Sequence, residues 1–544
     1  MKKIFTTLLI SLVATAGYAQ SAYDALMFSE NHYEGTARSM AMGNAFTALG
    51  GDLGGVSINP AGSAVSNYSQ FTITPALTFS TITAQGASPS ADGSLPYFQS
   101  ETKSRFTDFN CSNIGVTYNW DTGRKRGLRN ITFGFITNQT NSWNSDVYAN
   151  GTNSTTSFMG ALATNASMNG YLDSELGAED AYGFIPLWKA VTGFQSGMIS
   201  TFGGMNDQYV GASEVIYQDS ETGDYEITLG GPLDQTYGSR TEGGKHEYIL
   251  NFGGNVSDFV YFGANLGFTT ITYAHDWYFT EKAVNPKDFE IALDNDQSMY
   301  FQQMKYNYSY NADGSGIFGK FGVIVTPGYG LRFGAAIQTP TLTTMTETWT
   351  EDGETTFSTQ DYGAYSPYGE GNYSFTSPMR ANFGVAYTYG SLGVLSVDYE
   401  MTDYSKMRYD TNNSDRAYFE EVNHDIRQRF GVSHMLRAGL ELKPTAELAI
   451  RAGYGLTTSA EIRDIQNNPI DPLKTHTASF GLGYSSKGSF FMDAAVQTRF
   501  LRDEYLMPYE DYLFDEDGNI TDFAPEIRTH QSLWKALITF GWRF

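Results

Sequence analysis

The stretch Leu533-Trp534-Lys535-Ala536-Leu537-Ile538-Thr539-Phe540-Gly541-Trp542-Arg543-Phe544 alternates strictly. Its even positions, Trp534, Ala536, Ile538, Phe540, Trp542 and Phe544, are all apolar, while the odd ones include Lys535, Thr539, Gly541 and Arg543. A period of two with one face wholly apolar is what a strand needs when one side meets lipid and the other a polar lumen. The same pattern recurs upstream. Ala446, Leu448, Ile450, Ala452, Tyr454 and Leu456 oppose Glu447, Arg451 and Gly453, and Leu436, Ala438, Leu440 and Leu442 oppose Arg437, Glu441 and Lys443.

Similar segments begin near Phe71, Asn113, Asn130, His246, Phe259, Ile317, Gly330, Ser377, Leu392, Thr475 and Ser489, which brings the expected count to fourteen strands. Connection lengths agree with it. Short links at Asp121 to Arg129, Ser257 to Asp258, Pro327 to Tyr329, Gly390 to Ser391, Lys443 to Thr445 and Ser486 to Gly488 alternate with long ones, the largest at about 141–245. Membrane barrels keep short turns on the periplasmic side and long loops outside. Met299 to Tyr310 also reads as a strand, but counting it would break parity, so it is assigned to a loop hairpin or to an extension above the membrane. The expected fold is therefore all-β: a 14-stranded antiparallel transmembrane β-barrel.

Composition supports this class and excludes others. Aromatics reach 15%, and charged residues are only 17% against about 25% in ordinary globular proteins. The net charge of −25 would repel a phosphate backbone, so no nucleic acid partner is expected. A single cysteine rules out an internal disulfide framework. Residues 1–19 carry Lys2 and Lys3, an apolar run from Ile4 to Ala16, and small residues before Gln20, which reads as a signal peptide. The expected location is the cell outer membrane, as a multi-pass β-barrel over residues 68–544.

Residues 20–67 fit no wall strand. Met40 to Leu49 is expected to form a short helix with Met42, Ala45, Phe46 and Leu49 on one face, ending at Gly50-Gly51 before the tight turn Asn59-Pro60-Ala61-Gly62. A compact segment of small residues ahead of the first strand suits a plug inside the lumen.

Here the sequence resembles the FadL/TodX-type long-chain fatty acid and hydrocarbon transporters of the outer membrane. The likeness rests on Ala37-Arg38-Ser39-Met40-Ala41-Met42-Gly43-Asn44-Ala45-Phe46-Thr47-Ala48, the Asn59-Pro60-Ala61 turn, the fourteen strands and the terminal Phe544. It implies an N-terminal hatch gated around Met42, Phe46 and Asn59 to Gly62, with capture of a fatty acid or hydrocarbon by outer loops. Passage to a pocket above the hatch and lateral release at an inward kink in the third strand would follow. Gly134, on the lumen side of Asn130 to Thr140, is the place where a missing side chain would permit that kink. Trp542 and Phe544 would form the signal read by the barrel assembly machinery.

The physics suits lateral release, because exposing an acyl chain to a water-filled channel costs about 0.8 kcal/mol per methylene. A capture groove is expected in the largest loop from Phe158, Leu162, Phe184, Leu187, Trp188, Val191 and Phe194, residues that would equally serve as that loop's own small core. Acidic loops read as solvated surface. Carboxylate bridging to lipopolysaccharide through divalent ions is the sharper alternative, but no EF-hand spacing is present and no metal site is assigned. Gly314-Ser315-Gly316-Ile317-Phe318-Gly319 matches a dinucleotide-binding pattern but is followed by a strand, so it reads as a turn.

No catalytic motif, cofactor site or enzyme activity is expected. Haem uptake would need ligands such as His275 or His424. Expected partners are a hydrophobic small molecule and the outer-membrane lipid and lipopolysaccharide around a monomer. A role as shuttle or scaffold in a protein secretion system is the alternative from another class.

Overall fold

The computed structural model of the chain describes residues 3–4, 21–86, 97–218, 225–292, 297–411, 416–463, 468–501, 503–514, 520–523 and 525–544. Apart from Lys3–Ile4, the signal-peptide reading of residues 1–19 lies outside the described residues.

Fourteen antiparallel strands form a closed barrel. Numbered first to fourteenth, they are Gln70–Gly86; Thr102–Asp121; Leu128–Ser142 carried on by Ser145–Asn153; Leu233–Val256; Val260–Ala283; Ser298–Gly328; Leu331–Gln338 carried on by Leu342–Phe357; Gly369–Thr376 and Arg380–Tyr389; Gly393–Asp403; Val432–Leu442; Leu448–Thr458; Lys474–Ser485; Phe490–Phe500; and Ile527–Arg543. The first strand closes on the last, from Gln70 opposite Arg543 to Gly86 opposite Ile527. Every expected strand is found in its place.

The alternation read from the last strand is the alternation of the wall. Trp534, Ile538 and Trp542 are 49%, 44% and 41% exposed on the outside, whereas Lys535 and Thr539 are buried inside. Phe133, Phe252, Phe333 and Leu440 continue the outward apolar surface around the barrel, which is the face a lipid-embedded barrel presents. No helix among the described residues is long and apolar enough to cross a membrane. Short turns close one end of the barrel. Ser257 (φ 58°) and Asp258 (φ 56°) link the fourth and fifth strands, and Tyr329 (φ 55°) and Gly330 (φ 80°) link the sixth and seventh, the left-handed pairs that match strand twist in two-residue hairpins.

Three expectations change. Of the two readings of Met299 to Tyr310 the loop hairpin falls and the extension above the membrane stands, as the upper part of a single strand of 31 residues, Ser298–Gly328. Gly314 to Gly319 lies in the middle of that strand and makes no turn. The expected loop of about 141–245 is shorter, because the third strand pairs with the fourth as far as Asn153 opposite Leu233, leaving 154–232 outside the wall. A strand of that length extends about 100 Å, well beyond a hydrocarbon core of about 30 Å. The fourth to seventh strands therefore stand above the membrane as a sheet that needs a cover.

Helices Phe158–Met168, Asp173–Leu176, Ala181–Phe184 and Trp188–Gln195 supply it. Phe158 stacks on Phe279 of the fifth strand at 5.4 Å and packs against Tyr306 of the sixth at 5.2 Å. A second apolar cluster joins helix Ala22–Ser29 to helix Arg416–Arg429 through Phe28, Tyr373, Tyr409, Phe419 and Ile426.

The outward face sets a direct test. Ile538→Arg places a charge on the lipid side and is expected to cost about 2–4 kcal/mol if it lies near the bilayer midplane, measured by reversible unfolding from lipid vesicles.

Candidate functional site

The N-terminal segment from Ser21 onward runs through the lumen, and short backbone pieces define its path: helix Ala22–Ser29 capped by Ser21, helix Ala37–Ala41 capped by Thr36, and 3-10 turns Gly54–Ser57 and Pro60–Val65. The helix expected over Met40 to Leu49 is not formed. Gly43 and Asn44 both have φ of 60°, which ends the helix after Ala41. Met42, Ala45, Phe46 and Leu49 are nevertheless all buried.

The reason is the wall. A side chain on Gly439 or Gly453 would collide with Met42 and Gly43, one on Gly334 or Gly384 with Thr47 and Ala48, and one on Gly263 or Gly322 with Asn59 and Pro60. Inward-facing glycines thus make the seat on which the hatch backbone lies.

Asn59 is the pivot of the turn. Its side-chain oxygen accepts from the Ala61 N–H at 3.0 Å, while its amide donates to Thr47 O at 2.6 Å and to Val323 O on the sixth strand at 3.2 Å. Pro60, Ala61 and Gly62 are buried with it, and the Gly51 N–H donates to Gly62 O at 2.9 Å. Phe46 lies beneath the Arg38 guanidinium, 5.4 Å from its ring centre.

Lumen side chains tie the hatch down. Arg38 donates to Glu441 at 2.9 Å, and Arg451 bonds both Glu441 and Asp493 at 2.6 Å. Asp398 accepts from the Thr47 N–H at 2.7 Å, and Lys320 donates to Ser57 O at 2.5 Å. Sequence reading singled out none of these as site residues. Their signal was present in the alternation, since a charge on the face opposite the lipid has to point into the lumen.

The hatch divides the interior. On the short-turn side a cavity of about 640 Å³ is lined by Arg38, Arg332, Glu441 and Arg543. On the other side lies a cavity of about 600 Å³ bounded by apolar Leu26, Met27, Ile82 and Phe106 and by polar His32, Arg499 and Lys535. This upper cavity borders a split in the wall. The second strand pairs with the first from Thr102 to Thr117 but with the third only from Asn113 to Asp121. Ser112 is skipped in the first ladder and Thr140 in the ladder to the fourth strand, so both lips carry a bulge.

The hatch fills the gap in bonding. The His32 N–H donates to Thr140 O at 2.6 Å and the Glu34 N–H to Gln139 O at 3.2 Å. The Glu34 carboxylate accepts from Ser112 Oγ at 2.9 Å and pairs with Lys535. One hatch residue therefore holds the second, third and fourteenth strands together.

Gly134 lies below this split. Its backbone is paired on both sides, opposite Thr117 and Asn251, and the wall there is unbroken. The residues expected in a capture groove are also separated. Phe158, Leu162 and Val191 are buried in the core of the loop domain and present no surface, Leu187, Trp188 and Phe194 are half-buried, and Phe184 is 51% exposed. Four short helices need an interior, and the three most enclosed side chains supply it. Lys189 sits 5.4 Å from the Trp277 ring centre and 5.7 Å from that of Tyr306. Burial pushes its ammonium below the ordinary lysine range, with Glu351 opposing the shift. His275 lines the upper cavity and bonds Ser239 at 2.9 Å, while His424 is exposed on helix Arg416–Arg429, so the two do not face one site. Trp542 and Phe544 stand on the outside of the last strand, 41% and 70% exposed.

These features define a barrel of the outer-membrane class closed by its own N-terminal segment. Among solved structures the chain is similar to a Pseudomonas aeruginosa FadL homologue, with TM-score 0.51 and 11% identity over 95% of this chain and 100% of that one. The Pseudomonas putida toluene transporter TodX aligns with TM-score 0.48 and 13% identity over 95% and 100%. The Ralstonia pickettii toluene transporter TbuX gives 0.45 and 12% over 94% and 99%. No family model and no curated protein matches. The first of these likenesses establishes the fold, that of the FadL-type barrel.

Glu441→Gln leaves Arg38 and Arg451 without their shared carboxylate. It is expected to loosen the hatch by about 3 kcal/mol, read as faster amide exchange over residues 37–66.

Proposed function

We propose that the protein carries hydrophobic compounds, long-chain fatty acids or aromatic hydrocarbons, across the outer membrane. The observation that carries this reading is the upper cavity lying against a stretch where the backbone ladder between the second and third strands stops and side chains, Asn110 to Gln139 and Thr102 to the Tyr148 carbonyl, bond across instead. A water-filled passage would not need a split wall, whereas a solute that dissolves in lipid gains by leaving sideways, at about 0.8 kcal/mol per methylene. The lining fits an amphiphile: apolar Leu26, Ile82 and Phe106 for a chain, with Arg499 at one side, which makes no ion pair among the described residues.

Entry is from the end that bears the long connections, where Phe184 offers exposed apolar surface and Trp188 is half-buried. Exit is through the lips at Ser112 and Gln139 to Thr140, above Gly134. Glu34 is the latch between them, because moving residues 32–34 frees two carbonyls of the third strand and breaks the Glu34 contacts with Ser112 and Lys535. The turn Asn59 to Gly62 is the fixed end of the hatch and Ser21 to Glu34 the moving one.

Deletion of Thr140 removes the bulged residue and lets the third and fourth strands pair in one register across Lys245 and His246, down to Asn130 opposite Asn255. Barrels reconstituted in vesicles are expected to keep binding a fluorescent long-chain fatty acid while delivery into the bilayer falls at least tenfold, about 1.4 kcal/mol in barrier. Undiminished delivery by the deletion variant would refute lateral exit, and absence of any fatty acid or hydrocarbon binding by the intact protein would refute the function.

A further inference from the structure

We propose that the lipid-facing side of the first, second and fourteenth strands binds a phosphorylated, multiply acylated glycolipid of the outer leaflet. The chain carries 34 Lys and Arg against 59 Asp and Glu. Yet Lys103 and Arg105 face outward at alternate positions of the second strand, both exposed and neither in an ion pair among the described residues. The register puts them in rows. Lys103 lies opposite Thr83 and Thr83 opposite His530, while Arg105 lies opposite Thr81 and Thr81 opposite Ser532. Neighbouring strands are about 4.8 Å apart, so each row spans about 10 Å of cations and hydroxyls. Arg528, beside the rows, and His530, at the end of one, share Asp503 at 2.7 and 2.8 Å. The acidic side chains of Glu101 and Glu504 lie in the neighbouring segments.

Below the rows the wall is hollowed. A depression of about 580 Å³ opens to the lipid, with Leu77, Phe109 and Leu482 around Pro75, Ala494 and Ala536. Four residues separate Arg105 from Phe109 and Thr81 from Leu77, about 13 Å along a strand. A phosphate held at Lys103 and Arg105 therefore drops an acyl chain past Phe79 and Trp534, 46% and 49% exposed, into the hollow. The rows lie toward the end with the long connections, the outer leaflet in barrels of this class. Charges on a partly unpaired strand also discourage edge association, but that role needs no hollow beneath them and predicts no lipid preference.

The test uses the full chain in mild detergent, titrated with bis-phosphorylated lipid A and followed by native mass spectrometry. Lys103→Gln and Arg105→Gln are each expected to weaken binding about fivefold. Ala536→Trp fills the hollow and is expected to weaken it with both cations intact. Lys305→Gln and Lys406→Gln, exposed cations elsewhere on the barrel, should leave it unchanged. Binding unaffected by either kind of site variant overturns the proposal, as does an equal loss in the control variants. Phosphatidylglycerol binding as tightly, with the same dependence on Lys103 and Arg105, would overturn the glycolipid assignment.

Discussion

Every backbone N–H and C=O inside a bilayer has to find a partner within the protein, since hydrocarbon offers none. The closed ladder from Gln70 opposite Arg543 to Gly86 opposite Ile527 meets that demand for the wall. The hatch inherits the same demand in harder form, because turns and short 3-10 pieces leave many carbonyls unpaired. Charged and amide side chains of the lumen answer it. Arg332 donates to Leu49 O at 2.8 Å, Asn265 to Val56 O at 2.9 Å and Asn251 to Pro60 O at 3.1 Å. The polar interior is thus complementary to one backbone path, and the wall glycines leave space for that path alone.

The same requirement explains why the split wall and the hatch belong together. The bulge at Thr140 lies where the His32 and Glu34 N–H groups bond the Thr140 and Gln139 carbonyls, and at the Ser112 bulge the serine hydroxyl donates to the Glu34 carboxylate. Glu34 and Lys535 are both buried, and separating such a pair leaves an uncompensated charge. A barrel that opened at this seam without moving its hatch would expose polar groups to lipid, so the two motions are linked by the cost of an unmade hydrogen bond.

Above the membrane the constraint changes. Water can bond the backbone there, but strands of 24 and 31 residues present apolar faces that water does not favour. Phe279 and Tyr306 are buried with Phe158 and its helix lying over them. An apolar run in an outer loop is therefore first a cover for the sheet, and Phe184 on its outer side stays exposed.

The sequence by itself determined the wall: strand number, the inner and outer side of each strand, and the six short turns all follow from a period of two, because pleating sends successive side chains to opposite faces. It also determined that Asn59 to Gly62 turn, since the Asn-Pro step does so locally. Tertiary structure alone decided what meets across the lumen. Glu34 and Lys535 are 501 residues apart, and no local pattern pairs them. Helix propensity at Met40 to Leu49 lost to the close approach of Gly43 to Gly453, and the bulge lies at Thr140, while Gly134 stays paired on both sides, because a bulge is set by the register of two ladders and not by the side chain a residue lacks.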